Sequence, residues 1–230
     1  LLQNARDAAQ ATGVNISIQL AEGELRFRHD GRPFRYKELA HLIYHGTTKL
    51  DGEDELGHFG SGFVSTHLLS RRVRVLGLVE DGKRFDFWLD RSSADQYELA
   101  DAMRRSMDEC KRSCQTDQAP VSSAETEFIH PLTDESLTLA RLAIADLMSW
   151  GPLVLALASE IISVNVQAEG STWRLARGNP RRVADTIDLA NIDLHGNEGV
   201  VPHIIAVSRP LERVQAAIPL RKLAAGLGVR

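Results

Sequence analysis

Four groups of residues have types and spacings suited to a phosphorylated ligand. In Gly57-His58-Phe59-Gly60-Ser61-Gly62-Phe63 the glycines fall at i, i+3 and i+5, directly before residues 64–69, a run able to start a helix. Glycine lets a backbone close over a ligand, and the amides opening a helix favour phosphate. Asn4 and Asp7 are one helical turn apart and share a face. An asparagine amide oxygen is a hard ligand of the kind Mg²⁺ takes beside phosphates and water. His29-Asp30-Gly31-Arg32-Pro33-Phe34 forms a loop at a strand end, and Gly46-Thr47-Thr48-Lys49 offers hydroxyls and an ammonium to cover a phosphate.

These groups need elements to carry them. Residues 1–11 read as a helix. Residues 14–20 alternate apolar and polar as a half-buried strand, and Glu22-Gly23 turns the chain into a second strand over 24–29. Helical spacing returns over 36–44, through Leu39, Leu42 and Ile43. Residues 45–56 are polar and acidic, without apolar periodicity. Strands over 73–79 and 84–89 join at Asp81-Gly82. A charged helix over 94–114, a loop over 115–125, a strand over 127–132 and an amphipathic helix over 136–148 follow, with Pro152 read as its breaker. After strand 161–166 come alternating runs over 172–176, 186–194 and 200–208, separated by Gly170, Gly178-Asn179-Pro180 and Gly196-Asn197. A boundary is therefore expected near 168–180, dividing residues 1–168 from a β-rich segment, 169–230. The chain opens as the middle of a helix and closes without a stop signal, so it reads as a piece of a longer protein.

Composition narrows the class. At 230 residues and 43% hydrophobic the chain is globular, and its net charge of −4 gives no basis for binding nucleic acid or an anionic membrane. Arg71-Arg72, Arg104-Arg105 and Arg181-Arg182 read as solvated pairs. Cys110 and Cys114 have no nearby metal-ligand partners and read as reduced, incidental thiols of a cytoplasmic protein. His41, His45, His58 and His67 receive structural readings. No signal peptide or apolar run of about 18 residues is expected.

In their order, Leu1-Leu2-Gln3-Asn4-Ala5-Arg6-Asp7-Ala8, the loop 29–34 and the glycine run 57–63 resemble the GHKL ATPases. Their ATP-binding unit is the Bergerat fold, shared by Hsp90, DNA gyrase B, histidine kinases and MutL. The likeness covers roughly residues 1–165 and leans to Hsp90 and to the sacsin N-terminal ATPase-like domain. It implies an α/β (α+β) two-layer sandwich, with helices on one face of a mixed, mostly antiparallel sheet. It implies ATP and Mg²⁺ as ligands, with Asn4 on the metal and Asp7 lining the pocket. Gly31 would let the backbone approach the nucleotide. Gly57, Phe59, Gly60, Ser61, Gly62 and Phe63 would hold phosphates, Thr48 and Lys49 would lie in a lid over 45–56, and Thr126 matches a pocket threonine. The implied activity is slow ATP hydrolysis driving lid closure, coupled to further domains of the same polypeptide and to protein clients or effectors.

Two positions depart from that pattern. The family's Asp-x-Gly-x-Gly loop uses its aspartate to accept a hydrogen bond from the adenine amino group. Here His29 stands at the aspartate and Pro33 at the second glycine. A neutral imidazole has one acceptor nitrogen, so it replaces the carboxylate in only one tautomer. The family's general-base glutamate lies four residues before the asparagine, one position before Leu1, so none of the residues 1–230 is assigned as catalytic. A different class therefore stands beside the ATPase reading: a nucleotide sensor or interaction scaffold that does not hydrolyse. DNA repair or topology, as in MutL or gyrase, is a third reading that the acidic balance does not support.

Overall fold

The computed structural model describes residues 1–44, 65–115, 125–184, 187–208 and 216–219. The described helices are α1 (Leu2–Asp7), α2 (Tyr36–Tyr44), α3 (Gln96–Gln115) and α4 (Asp134–Leu157), with a 3-10 turn over Ser65–Leu68. The strands are β1 (Val14–Ala21), β2 (Glu24–His29), β3 (Arg72–Leu78), β4 (Arg84–Asp90), β5 (Thr126–Pro131), β6 (Ile161–Ala168), β7 (Ser171–Arg177), β8 (Arg181–Ala184), β9 (Ile187–Gly196), β10 (Gly199–Ser208) and β11 (Ala216–Pro219).

All eleven belong to one sheet, ordered β11-β10-β9-β7-β6-β1-β2-β5-β3-β4, with β8 paired to β9 off this path. The β1–β6 pairing is parallel and the other described pairings are antiparallel. The expected fold class, helices on a mixed and mostly antiparallel sheet, is the one observed. β7, β9, β10 and β11 continue this sheet beyond residue 168, and α4 touches β6, β7, β9, β10 and β11.

Alternation decides which face is covered. One face buries Ile16 and Ile18 of β1, Phe27 of β2, Phe128 of β5, Val75 of β3 and Phe87 of β4. The other carries cross-strand ion pairs: Arg28 Nε to Glu127 Oε1 at 2.8 Å, and a bidentate Arg74–Asp86 pair at 2.8 and 2.7 Å. Charged side chains on the open face leave it solvated while the apolar face takes the helices. The edge of β4 is closed by α3. Trp88 N donates to Glu109 Oε2 and Asp86 N to Ser113 Oγ, while Ser106 Oγ donates to Trp88 O. Covering an edge in this way removes a template for pairing with another chain.

Pro152 is a correction. It lies inside α4, which runs to Leu157. A proline ring crowds the Cβ of the preceding residue, and here that residue is Gly151, which has none. The same missing Cβ seats the helix on β7, since a Cβ at Gly151 would fall 2.4 Å from Leu175 Cδ1. With no break at Pro152, the expectation of no long apolar run is corrected as well. By length and composition alone α4 is able to cross a membrane, with an 18-residue window of mean hydropathy 1.4. In this fold it lies along the sheet. Thr133 and Ser136 form its capping box: Thr133 N donates to Ser136 Oγ at 2.9 Å, and Ser136 N to Thr133 Oγ1 at 3.3 Å.

Candidate functional site

The first expected helix is shorter than its pattern, ending at Asp7 rather than near residue 11. Three attachments fix it. Ala5 is fully buried, Arg6 pairs with Glu160 at 3.0 Å, and Ala8 O accepts the Arg32 N–H at 2.7 Å. Asn4 and Asp7 are half-buried, and Asn4 stands one turn above Ala8 on the same face.

The loop 30–34 is held from both sides. Asp30 accepts from Asn15 N at 2.6 Å and from Asn15 Nδ2 at 2.8 Å, so both its oxygens are committed to β1. The Arg32 guanidinium grips Glu38 at 2.9 and 2.7 Å. Burial pushes the Glu38 carboxyl up, but the hydrogen bonds from Arg32 and from the Arg35 N–H outweigh it and hold the pKa below its ordinary value. Phe34 N donates to Leu78 O at 2.9 Å, and its ring meets Phe85 edge-on with centroids 5.6 Å apart.

Gly31 is buried and has no left-handed φ. A Cβ there would stand 2.7 Å from Ala8 O, 2.9 Å from Ala8 Cβ and 3.0 Å from His29 Nδ1. Glycine is required by close approach, and what approaches is the end of α1. That contact joins the asparagine helix to the sheet.

On the sheet, His29 and Thr126 are direct cross-strand partners, 3% and 1% exposed. Thr126 Oγ1 lies 3.3 Å from where Gly77 would carry a Cβ, and Gly77 pairs with Phe85. In the neighbouring register the same strands carry Phe27, Phe128 and Val75. The covered face is thus apolar in one layer and offers a histidine, a threonine and a glycine in the next. His29 lies 6.5 Å centroid to centroid from Phe128 in a stacked arrangement, and 6.3 Å from Phe27 edge-on.

Gly31 N–H donates to His29 Nδ1 at 3.2 Å, which assigns the ring proton to Nε2. Burial lowers the His29 pKa to about 4, with the Asp30 charge pulling the other way, so the ring is neutral at pH 7. The lone pair that an adenine amino group would need is already engaged.

Of the residues singled out from sequence, Asn4, Asp7, Gly31, His29 and Thr126 are described; Gly31, His29 and Thr126 are joined by these contacts, and Asn4 and Asp7 lie on α1, whose end docks on Gly31. Thr48, Lys49, Gly57, Phe59, Gly60, Ser61, Gly62 and Phe63 lie outside the described residues. Sequence reading missed Ala8, Asn15 and Gly77. Only the polar Asn15, opposite the Asp30 loop, carried a signal that hairpin register could have exposed.

As a test of fit, the half-buried Asn4 supplies one amide oxygen. Among the described residues no three His, Cys, Asp or Glu side chains gather as a metal cluster, so Mg²⁺ at Asn4 would draw its other ligands from phosphate and water. Cys110 and Cys114 are buried on α3, and burial pushes the Cys110 thiol up to about 12. On the opposite sheet face a shallow hollow is lined by Arg28, Leu76, Leu78, Arg84, Glu125 and Glu127. No family model and no curated protein matches the chain.

Proposed function

We propose that the chain is a Mg·ATP-binding module of the Hsp90/sacsin-like type, belonging to a larger cytoplasmic protein with further domains and protein clients or effectors. The carrying observation is the docking of Ala8 on Gly31, with Gly31 in turn against His29 beside Thr126. Ala8 and Thr126, more than a hundred positions apart, thereby both lie beside the 29–31 segment, which supports this reading. Asn4 would hold Mg²⁺, which when bound neutralises charge on the phosphates. Asp7 and Thr126 would line the pocket. Hydrolysis would add water at the γ-phosphorus and release ADP, and the base for that water is not assigned to any of these residues.

The engaged Nδ1 of His29 favours a second reading, in which the same pocket binds nucleotide without turnover and acts as a sensor or scaffold. Isothermal titration of Mg·ATP and Mg·ADP into the chain, with circular dichroism to establish folding, tests the binding shared by both readings. Asn4→Ala is expected to weaken Mg·ATP at least tenfold while leaving the spectrum intact. No heat of binding from the folded chain would overturn the proposal. Binding together with phosphate release above background selects the ATPase, and binding without release selects the sensor.

A further inference from the structure

Asp30, the carboxylate next to His29 in sequence, is turned away from this layer: both its oxygens are bonded to Asn15. The ring in its place has given its lone pair to the Gly31 N–H and keeps Nε2–H as its remaining polar group. No other hydrogen bond is made by this ring among the described residues. The cross-strand partner Thr126 brings a hydroxyl, which donates or accepts as required. The pair therefore presents a fixed donor beside an adaptable group.

Purine edges differ at these positions. A 6-oxopurine presents an O6 acceptor beside an N1–H donor, whereas adenine presents an amino donor beside an N1 acceptor. A carboxylate facing the base would repel O6 and reward the amino group. An imidazole N–H does the reverse, attracting O6 and meeting the amino group donor to donor.

Resting on the nucleotide reading above, we infer that this layer takes 6-oxopurine nucleotides, guanine or hypoxanthine, at least as well as adenine nucleotides. His29 Nε2–H donates to O6, and Thr126 Oγ1 accepts from N1–H.

The test is competition among Mg·ATP, Mg·GTP and Mg·ITP for the folded chain, read as dissociation constants. GTP and ITP are expected to bind at least as tightly as ATP. His29→Asp is expected to move the GTP-to-ATP ratio at least tenfold towards ATP. A buried carboxylate could unfold the variant, so the ¹⁵N shifts of the His29 ring in the unaltered chain give an independent measure. They should show a protonated Nε2 and an unprotonated Nδ1. A preference for ATP over GTP, or a proton on Nδ1, overturns this inference while leaving nucleotide binding in place. A folded chain that binds none of the three overturns the nucleotide reading and this inference with it.

Discussion

Acidification from pH 7.5 to pH 5 is expected to destabilise this protein by about 2 kcal/mol for each of two buried histidines. His29 and His130 are 3% and 0% exposed, and burial lowers each pKa from 6.5 to about 4. The unfolded chain takes up a proton near pH 6.5, where the folded chain refuses it. The contribution is therefore fully present above pH 6.5 and drains away as the pH falls towards 4. Complete loss amounts to about 3 kcal/mol per histidine, a large share of an ordinary domain's stability. Neither ring nitrogen of His130 has a hydrogen-bond partner among the described residues, so His130→Leu removes its titration and sacrifices little else. Unfolding free energies from urea titration should fall between pH 7.5 and 5, and fall about 2 kcal/mol less in His130→Leu. Equal pH dependence in the two proteins would refute the assignment.

Gly31→Ala carries the second large effect. The added methyl meets a backbone oxygen at 2.7 Å, and a carbonyl at a helix end cannot rotate aside as a side-chain tip does. The end of α1 has to move, with an expected loss of about 2 kcal/mol and weaker nucleotide binding as Asn4 shifts relative to His29. Gly23→Ala is the matching control. Gly23 has φ +74° and open space where a Cβ would go, so that variant costs about 1 kcal/mol through backbone conformation alone. Chemical denaturation of both variants decides the matter. A Gly31→Ala no less stable than Gly23→Ala would show that α1 is not seated through this glycine.

Local signals made much of the fold legible. Glu22-Gly23 and Asp81-Gly82 announced their hairpins, and alternation marked the strands on either side of each. Strand order was less accessible. Nothing local indicates that β5 lies between β2 and β3, or that β6 runs parallel beside β1. Those pairings depend on which apolar faces share the helices. Pro152 misled because its effect depends on Gly151 and on Leu175, a residue on another element. At the candidate site, residue types and motif order pointed to Asn4, His29 and Thr126. The proton on His29 was not readable, because a neighbouring main-chain N–H at Gly31 fixes it. Nor was the reason for Gly31, which becomes clear only when Ala8 is seen against it.

The central claim is that the α1 face and the His29–Thr126 layer form one nucleotide site. Its most direct test follows the amide and ring signals of the ¹⁵N-labelled chain as Mg·ADP is added. Signals of Asn4, Gly31, His29 and Thr126 should shift together along one saturation curve, with those of Arg28, Arg84 and Glu127 on the opposite face unmoved. Saturable shifts confined to that opposite face would contradict the claim.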